Sequence, residues 1–381
     1  MDAELEGTSV YKPGSIQCQP ERANSQHRRN TECNVIQFRG GGSSSTDGSH
    51  RYFALQPILS LSRKVVGSEA LFRMGWEDYF RGDSNVATRV MIDNWLLYGF
   101  EDLNAGYLTF LNCTREALVS GLLTLLPPWA VLEILETVEP DEEVLRACRE
   151  LKRLGYLISL DDFESPDKME GFLDLADFIK IDFRITRTRE RARLLRRLKR
   201  SPATLIAEKI ETEEEFRLAK WEGFQLFQGF YFQEQVSFAM TRDSVSEKNC
   251  LSILEVLNQS GFAINALTEL VNLEPGIGCR LLRKANWMAA EDSPVNTFRD
   301  ALKLIGKSEF RKLVVLAMFA EIQNWGVLPP DLREYGMSEL AMEQDSYQSH
   351  TLSEETQPST GGKILKMPAR FKKTNNPWSE S

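Results

Sequence analysis

Between Arg51 and about Gln235 the chain repeats one pattern: a short apolar run rich in β-branched and aromatic residues, then, in several intervals, a helix-like stretch. The runs are YFALQPILS, KVVGSEALFR, GYLTFLNC, AVLEILE, YLISLDDF, FIKIDF, TLIAEKI and LFQGFYF. Helices are predicted over VATRVMIDNWLLYGF, DEEVLRACRELKRLG and TEEEFRLAKWEG, bounded by acidic starts and by Gly after the last turn. Such alternation predicts a parallel sheet, and eight strand candidates favour a sheet closed on itself. The expected fold class is α/β, a TIM-like (β/α) barrel over residues 51–236. From Glu247 onward the apolar residues fall at helical spacing only, through CLSILEVLNQ, NALTELVNL, IGCRLLRKANW, FRDALKLIG and EFRKLVVLAMFAEIQNW. This predicts a second, smaller all-α module at 247–330. Residues 1–50 and 340–381 are polar and lack a period, so a disordered leader and tail are expected.

Polar residues recur where the barrel strands end. Glu69, Asn112, Glu133, Asp161 with Asp162, Lys180 with Asp182, Glu208 with Glu211, and Gln228 follow one another at intervals of 19 to 43 residues. In a β/α barrel the C-terminal strand ends meet at one mouth, so residues scattered in sequence converge there. Any one of these acids alone would be read as a helix cap or a solvated loop residue, and Lys180 with Asp182 as a structural ion pair. The series at successive strand ends is harder to explain in that way. Its donors are hard oxygens, which suit Mg²⁺ or Mn²⁺, and a divalent pair would relieve the mutual repulsion of the carboxylates.

Composition narrows the chemistry. The three histidines, His27, His50 and His350, lie in polar or tail-like sequence, which excludes Ser-His-Asp triads and His-rich zinc sites. A net charge of -9 provides no global field for nucleic acid or an anionic membrane. The six cysteines show no C-x-x-C pair, and the longest apolar stretch, at 313–320, is too short to span a bilayer. Free thiols and a cytoplasmic location are expected.

With these residues in place, the chain resembles the EAL family of cyclic-di-GMP phosphodiesterases. The resemblance rests on LQPI at 55–58, EALFR at 69–73, FLN at 110–112, LEILE at 132–136, LDDF at 160–163, IKID at 179–182, AEKIE at 207–211 and QG at 228–229, in family order. It implies a barrel whose mouth binds two Mg²⁺ or Mn²⁺ ions and opens cyclic-di-GMP to linear pGpG. Carried over, Glu69, Asn112, Glu133, Asp161 and Asp162 are metal ligands. Lys180 orients the attacking water, Glu208 assists its deprotonation, and Asp162 counts with them as catalytic. Gln56 and Arg73 touch the nucleotide, and Glu211 and Gln228 complete the polar shell.

The sequence also departs from the family. After Phe163 it reads ESPDKMEG where members carry a loop like GTGYSS, a loop that Glu136 normally supports, and the barrel looks abbreviated between Glu69 and Asn112. These departures and the helices resemble a subgroup in which a shortened EAL domain precedes an HDOD domain, an interaction module similar to HD hydrolases that have lost their metal ligands. Two functions follow: a phosphodiesterase, slow because of the altered loop, or a catalytically silent nucleotide receptor or scaffold. The partners implied are cyclic-di-GMP and a signalling protein on the helical module, with homodimerisation allowed. The basic run 184–200 reads as a solvated helix face, the alternative being a docking site for an acidic partner or RNA phosphates.

Overall fold

The computed structural model describes residues 35–38, 50–73, 83–104, 106–164, 169–232, 236–241, 245–290 and 293–322. Most of the expected leader and the whole expected tail lie outside them, as do residues 323–330 of the predicted helical module and 165–168 of the altered loop.

The barrel strands are β2 (His50–Ser60), β3 (Val65–Arg73), β4 (Leu108–Cys113), β5 (Ala130–Ile134), β6 (Leu157–Leu160), β7 (Phe178–Asp182), β8 (Thr204–Glu208) and β9 (Leu226–Phe227). From β3 to β9 each strand pairs parallel with the next, and β9 closes the ring on β2 through Leu59↔Phe227 and Ser60↔Leu226. The result is a closed eight-stranded TIM-like barrel with one departure from the expected parallel sheet. β2 runs antiparallel to both of its barrel neighbours. Only four residues join β2 to β3, in a turn closed by Ser60 N–H to Lys64 O at 2.9 Å, whereas a parallel crossover needs about a dozen residues. Two further strands, β1 (Val35–Phe38) and β10 (Val236–Thr241), extend the sheet from the N-terminal half of β2. β1 therefore places regular structure inside the stretch read as a leader.

Helices cover the outside: α1 (Ser84–Tyr98), α2 (Phe100–Leu103), α3 (Arg115–Val119), α4 (Glu142–Leu154), α5 (Thr188–Leu198) and α6 (Glu213–Glu222). Their boundaries are local. Asp141 accepts from Val144 N–H to start α4 and Gly155 ends it in the left-handed region; Thr212 and Glu215 form a capping box for α6. A helical region follows, α7 (Glu247–Asn258), α8 (Ile264–Asn272), α9 (Pro275–Met288) and α10 (Phe298–Ile322), the last broken at Gly306. It packs on α1, and its buried residues belong to the same apolar core as the outer faces of the strands. No helix among the described residues is long and apolar enough to cross a membrane.

Inside the barrel the alternation of the strands stacks two layers. Ile58, Phe110, Val131, Phe178, Ile206 and Leu226 form a closed apolar plug, and Gly67 leaves room there for the Phe110 ring. Two residues further toward the mouth, every strand presents a polar group: Gln56, Glu69, Asn112, Glu133, Asp161, Lys180, Glu208 and Gln228. Gln56 pairs opposite Glu69 and Asn112 opposite Glu133, while Glu69↔Phe110, Glu133↔Ser159 and Lys180↔Ile206 step the register by two residues. That stagger is the shear a closed barrel requires.

Candidate active site

The polar layer floors a cavity of about 180 Å³ lined by Gln56, Glu69, Leu71, Asp161, Asp162, Lys180, Glu208, Lys209 and Gln228. Lys180 is its centre. Its Nζ lies 3.0 Å from Glu69 Oε2, 2.6 Å from Glu133 Oε1, 2.6 Å from Glu208 Oε1 and 3.5 Å from Asp161 Oδ1. Glu69 also accepts from Asn112 Nδ2 at 3.0 Å and Gln228 Nε2 at 2.8 Å. An ammonium with three protons faces four carboxylates, so one cation leaves three negative charges uncompensated if all are ionised.

Burial sharpens this conflict, since Glu133 is 0% and Lys180 1% exposed. Burial, reinforced by Glu69, Asp161 and Glu208, pushes Glu133 well above the usual carboxylate range in spite of Lys180. For Glu208, burial with the charges of Asp161 and Glu69 raises it to about 8. Asp161 and Asp162 are raised as well, first by burial and then by neighbouring acids. Glu69 goes the other way: burial would raise it, but Lys180, Gln228 and Asn112 together hold it below the ordinary value. Burial would lower Lys180, yet its carboxylates hold it well above the usual lysine range.

Several oxygens in the layer are left over. Asn112 Oδ1, Glu133 Oε2, Asp162 Oδ1 and Gln228 Oε1 are buried without a hydrogen-bond partner, and Glu133 Oε1 meets Lys180 out of line for a hydrogen bond. Orphaned buried acceptors beside excess negative charge are a chemical fit for hard divalent cations. Glu69, Glu133 and Asp161 offer such oxygens around Lys180, with Asn112 bonded to Glu69. A second group lies beside them, where single carboxylate oxygens of Glu136, Asp161 and Asp162 lie within 4.8 Å of one another.

Gln56, Glu69, Asp161, Asp162, Lys180, Glu208 and Gln228 all line the cavity, and Asn112 and Glu133 support it from the same layer. Arg73 lies four residues beyond Glu69 on β3, where it donates to Phe72 O at 3.4 Å. Glu211 stands apart, its carboxylate 2.8 Å from Arg184 at the surface. Asp182 Oδ1 caps the turn after β7 through Arg184 N–H at 2.6 Å. Sequence reasoning passed over Lys209. Strand alternation would place it outside the barrel, yet it lines the cavity and pairs with Asp182 and, at 3.5 Å, with Asp162.

A family model for the EAL domain matches residues 113–235. Among curated proteins, the cyclic di-GMP phosphodiesterase CdgJ of Vibrio cholerae is 32% identical over 280 residues, spanning 72% of this chain and 65% of that protein. The uncharacterized protein YuxH of Bacillus subtilis is 28% identical over 284 residues, 72% of this chain and 69% of that protein. Among solved structures, Klebsiella pneumoniae BlrP1 in a manganese and cyclic-di-GMP complex is 22% identical, with a TM-score of 0.42 over 52% of this chain and 60% of that one.

Proposed function

We propose that this chain, which carries an EAL domain within its barrel, is a metal-dependent phosphodiesterase that opens cyclic-di-GMP to linear pGpG. The observation that carries the reading is the layer of carboxylates and amides around Lys180, with orphaned oxygens facing a cavity. Its similarity to a Vibrio cholerae protein named a cyclic di-GMP phosphodiesterase supports the choice of substrate.

Glu69, Asn112, Glu133, Asp161 and Asp162 would hold a pair of Mg²⁺ or Mn²⁺ ions. Such ions, when bound, would supply a water of lowered pKa and neutralise charge developing on the phosphate. The chain's own residues do the rest. Lys180 Nζ donates to the attacking water and fixes its direction. Glu208, raised to about 8 by burial and by Asp161 and Glu69, accepts the water proton at Oε1. Gln228 and Asn112 hold Glu69 in one orientation. Gln56 lines the cavity and contacts the nucleotide, and Arg73 supplies a guanidinium for its phosphate; Glu211, paired with Arg184 outside the cavity lining, would complete the polar shell from the surface.

A second reading, a silent receptor or scaffold, is favoured by one feature: the run ESPDKMEG follows Phe163 directly after the Asp161–Asp162 pair. Under either reading the helical region acts as an HDOD-like module that engages a signalling protein. The test is direct. Purified protein is incubated with cyclic-di-GMP and Mn²⁺ or Mg²⁺, and pGpG is followed by chromatography. Slow turnover is expected, abolished by chelator and by Glu69→Ala or Asp161→Ala. Turnover that survives chelator sinks the metal-dependent reading, and nucleotide binding without any pGpG selects the receptor.

A further inference from the structure

Lys209 breaks the rule that built the rest of the mouth. Glu208 points into the barrel, so its neighbour belongs on the outer face. A left-handed backbone, φ +55°, interrupts the alternation, and both side chains line the cavity. Across from it Asp162 is also left-handed, at φ +38°. Among the described residues only Arg63, in the β2–β3 turn, is another non-glycine with positive φ. Backbone strain outside turns is thus concentrated on two residues that face each other, a distribution characteristic of functional sites.

The Lys209 ammonium bonds Asp182 Oδ2 and stands 3.5 Å from Asp162 Oδ1. The charges of the mouth therefore divide into two groups. The inner one has four carboxylates, Glu69, Glu133, Asp161 and Glu208, against the single ammonium of Lys180. In the outer one, three carboxylates, Glu136, Asp162 and Asp182, stand against the ammonium of Lys209, which Asp162 and Asp182 already share. A dication beside Glu136, Asp161 and Asp162 would sit next to that fixed positive charge, whereas one in the inner group would meet a larger excess of negative charge.

We propose that Lys209 is a built-in counter-ion at the outer cation position, so that the mouth holds one Mg²⁺ or Mn²⁺ tightly and a second at least tenfold more weakly. This rests on the metal-dependent reading above and gives slow turnover a cause in the chain's own residues. Lys209 is a positioning residue, acting through Asp162.

The test is a titration of metal-free, full-length protein with Mn²⁺, with free ion counted by electron paramagnetic resonance. Wild type should take up one tight equivalent. Lys209→Met and Lys209→Gln, checked for folding by circular dichroism, should take up two, the second at least tenfold tighter than in wild type. Lys209→Arg, which keeps the charge, should behave as wild type. Two equally tight ions in wild type overturn the proposal without any variant, and so does an arginine variant that matches the methionine one. Absence of tight Mn²⁺ from every protein instead sinks the metal-dependent reading, and this proposal with it.

Discussion

Glu133 and Glu208 show what the mouth costs the fold. Both carboxyls are raised, Glu208 to about 8, because burial and neighbouring acids disfavour their charged forms. A group whose folded pKa lies above its unfolded one contributes stability that is fully present below the unfolded value, near 4.5 here, and lost as pH rises through the folded value. Metal-free protein should therefore lose stability from about pH 5 to pH 8, each such group contributing up to about 1.4 kcal/mol per pH unit. Adding Mn²⁺ should flatten that slope, since the ion replaces the protons. Denaturant midpoints measured across this range, with and without metal, check it; parallel profiles would remove the metal from the site. At this scale the sequence was informative where chemistry repeats at strand ends, as with Glu69, Asn112 and Glu133. It was silent on Lys209, because a left-handed backbone cannot be read from a lysine that follows a strand.

At the scale of elements, the eight barrel strands and the helices beside them follow from period and capping residues, as Asp141 and Gly155 illustrate at α4. The direction of β2 did not, since an apolar run has no direction of pairing. The short β2–β3 connection was the available signal, and a count of its residues would have found the antiparallel hairpin. Gly229 is the junction where β9 completes the ring. Its φ is +153°, and a Cβ there would lie 2.1 Å from Ile210 O and 2.3 Å from Ile210 N. Ile210 meanwhile donates to Gln228 O at 3.0 Å, so this contact holds Gln228 against Glu69. Gly229→Ala should force the two segments apart, costing about 2–4 kcal/mol by urea unfolding and loosening the mouth. An unchanged urea midpoint would refute the close approach.

For the whole molecule, the surprise in the sequence is how little separates barrel from helices. A barrel over 51–236 followed by an all-α module at 247–330 predicts two cores, yet Asp93 ties them together from inside. It sits in the helix VATRVMIDNWLLYGF and is fully buried, accepting from Arg280 Nε at 2.6 Å and Nη2 at 2.7 Å and from Arg51. Trp287 of α9 and Trp95 of α1 likewise share Glu101, at 2.8 and 2.9 Å. Arg51 lies on β2 five residues before Gln56, so the helical region bonds through Asp93 to the strand that lines the mouth. Burial would raise Asp93, but Arg280 and Arg51 outweigh it and hold the carboxyl below its ordinary value. Its contribution is therefore present at neutral pH and lost as pH falls through the depressed value. Asp93→Ala leaves two guanidiniums buried without their anion, a cost of about 3–5 kcal/mol. Because the core is shared, that loss should lower one cooperative transition seen alike by tryptophan fluorescence and far-ultraviolet circular dichroism. Two separate transitions, with only the helical one shifted, would show instead that barrel and helices fold independently and that the mouth is insulated from the helical region.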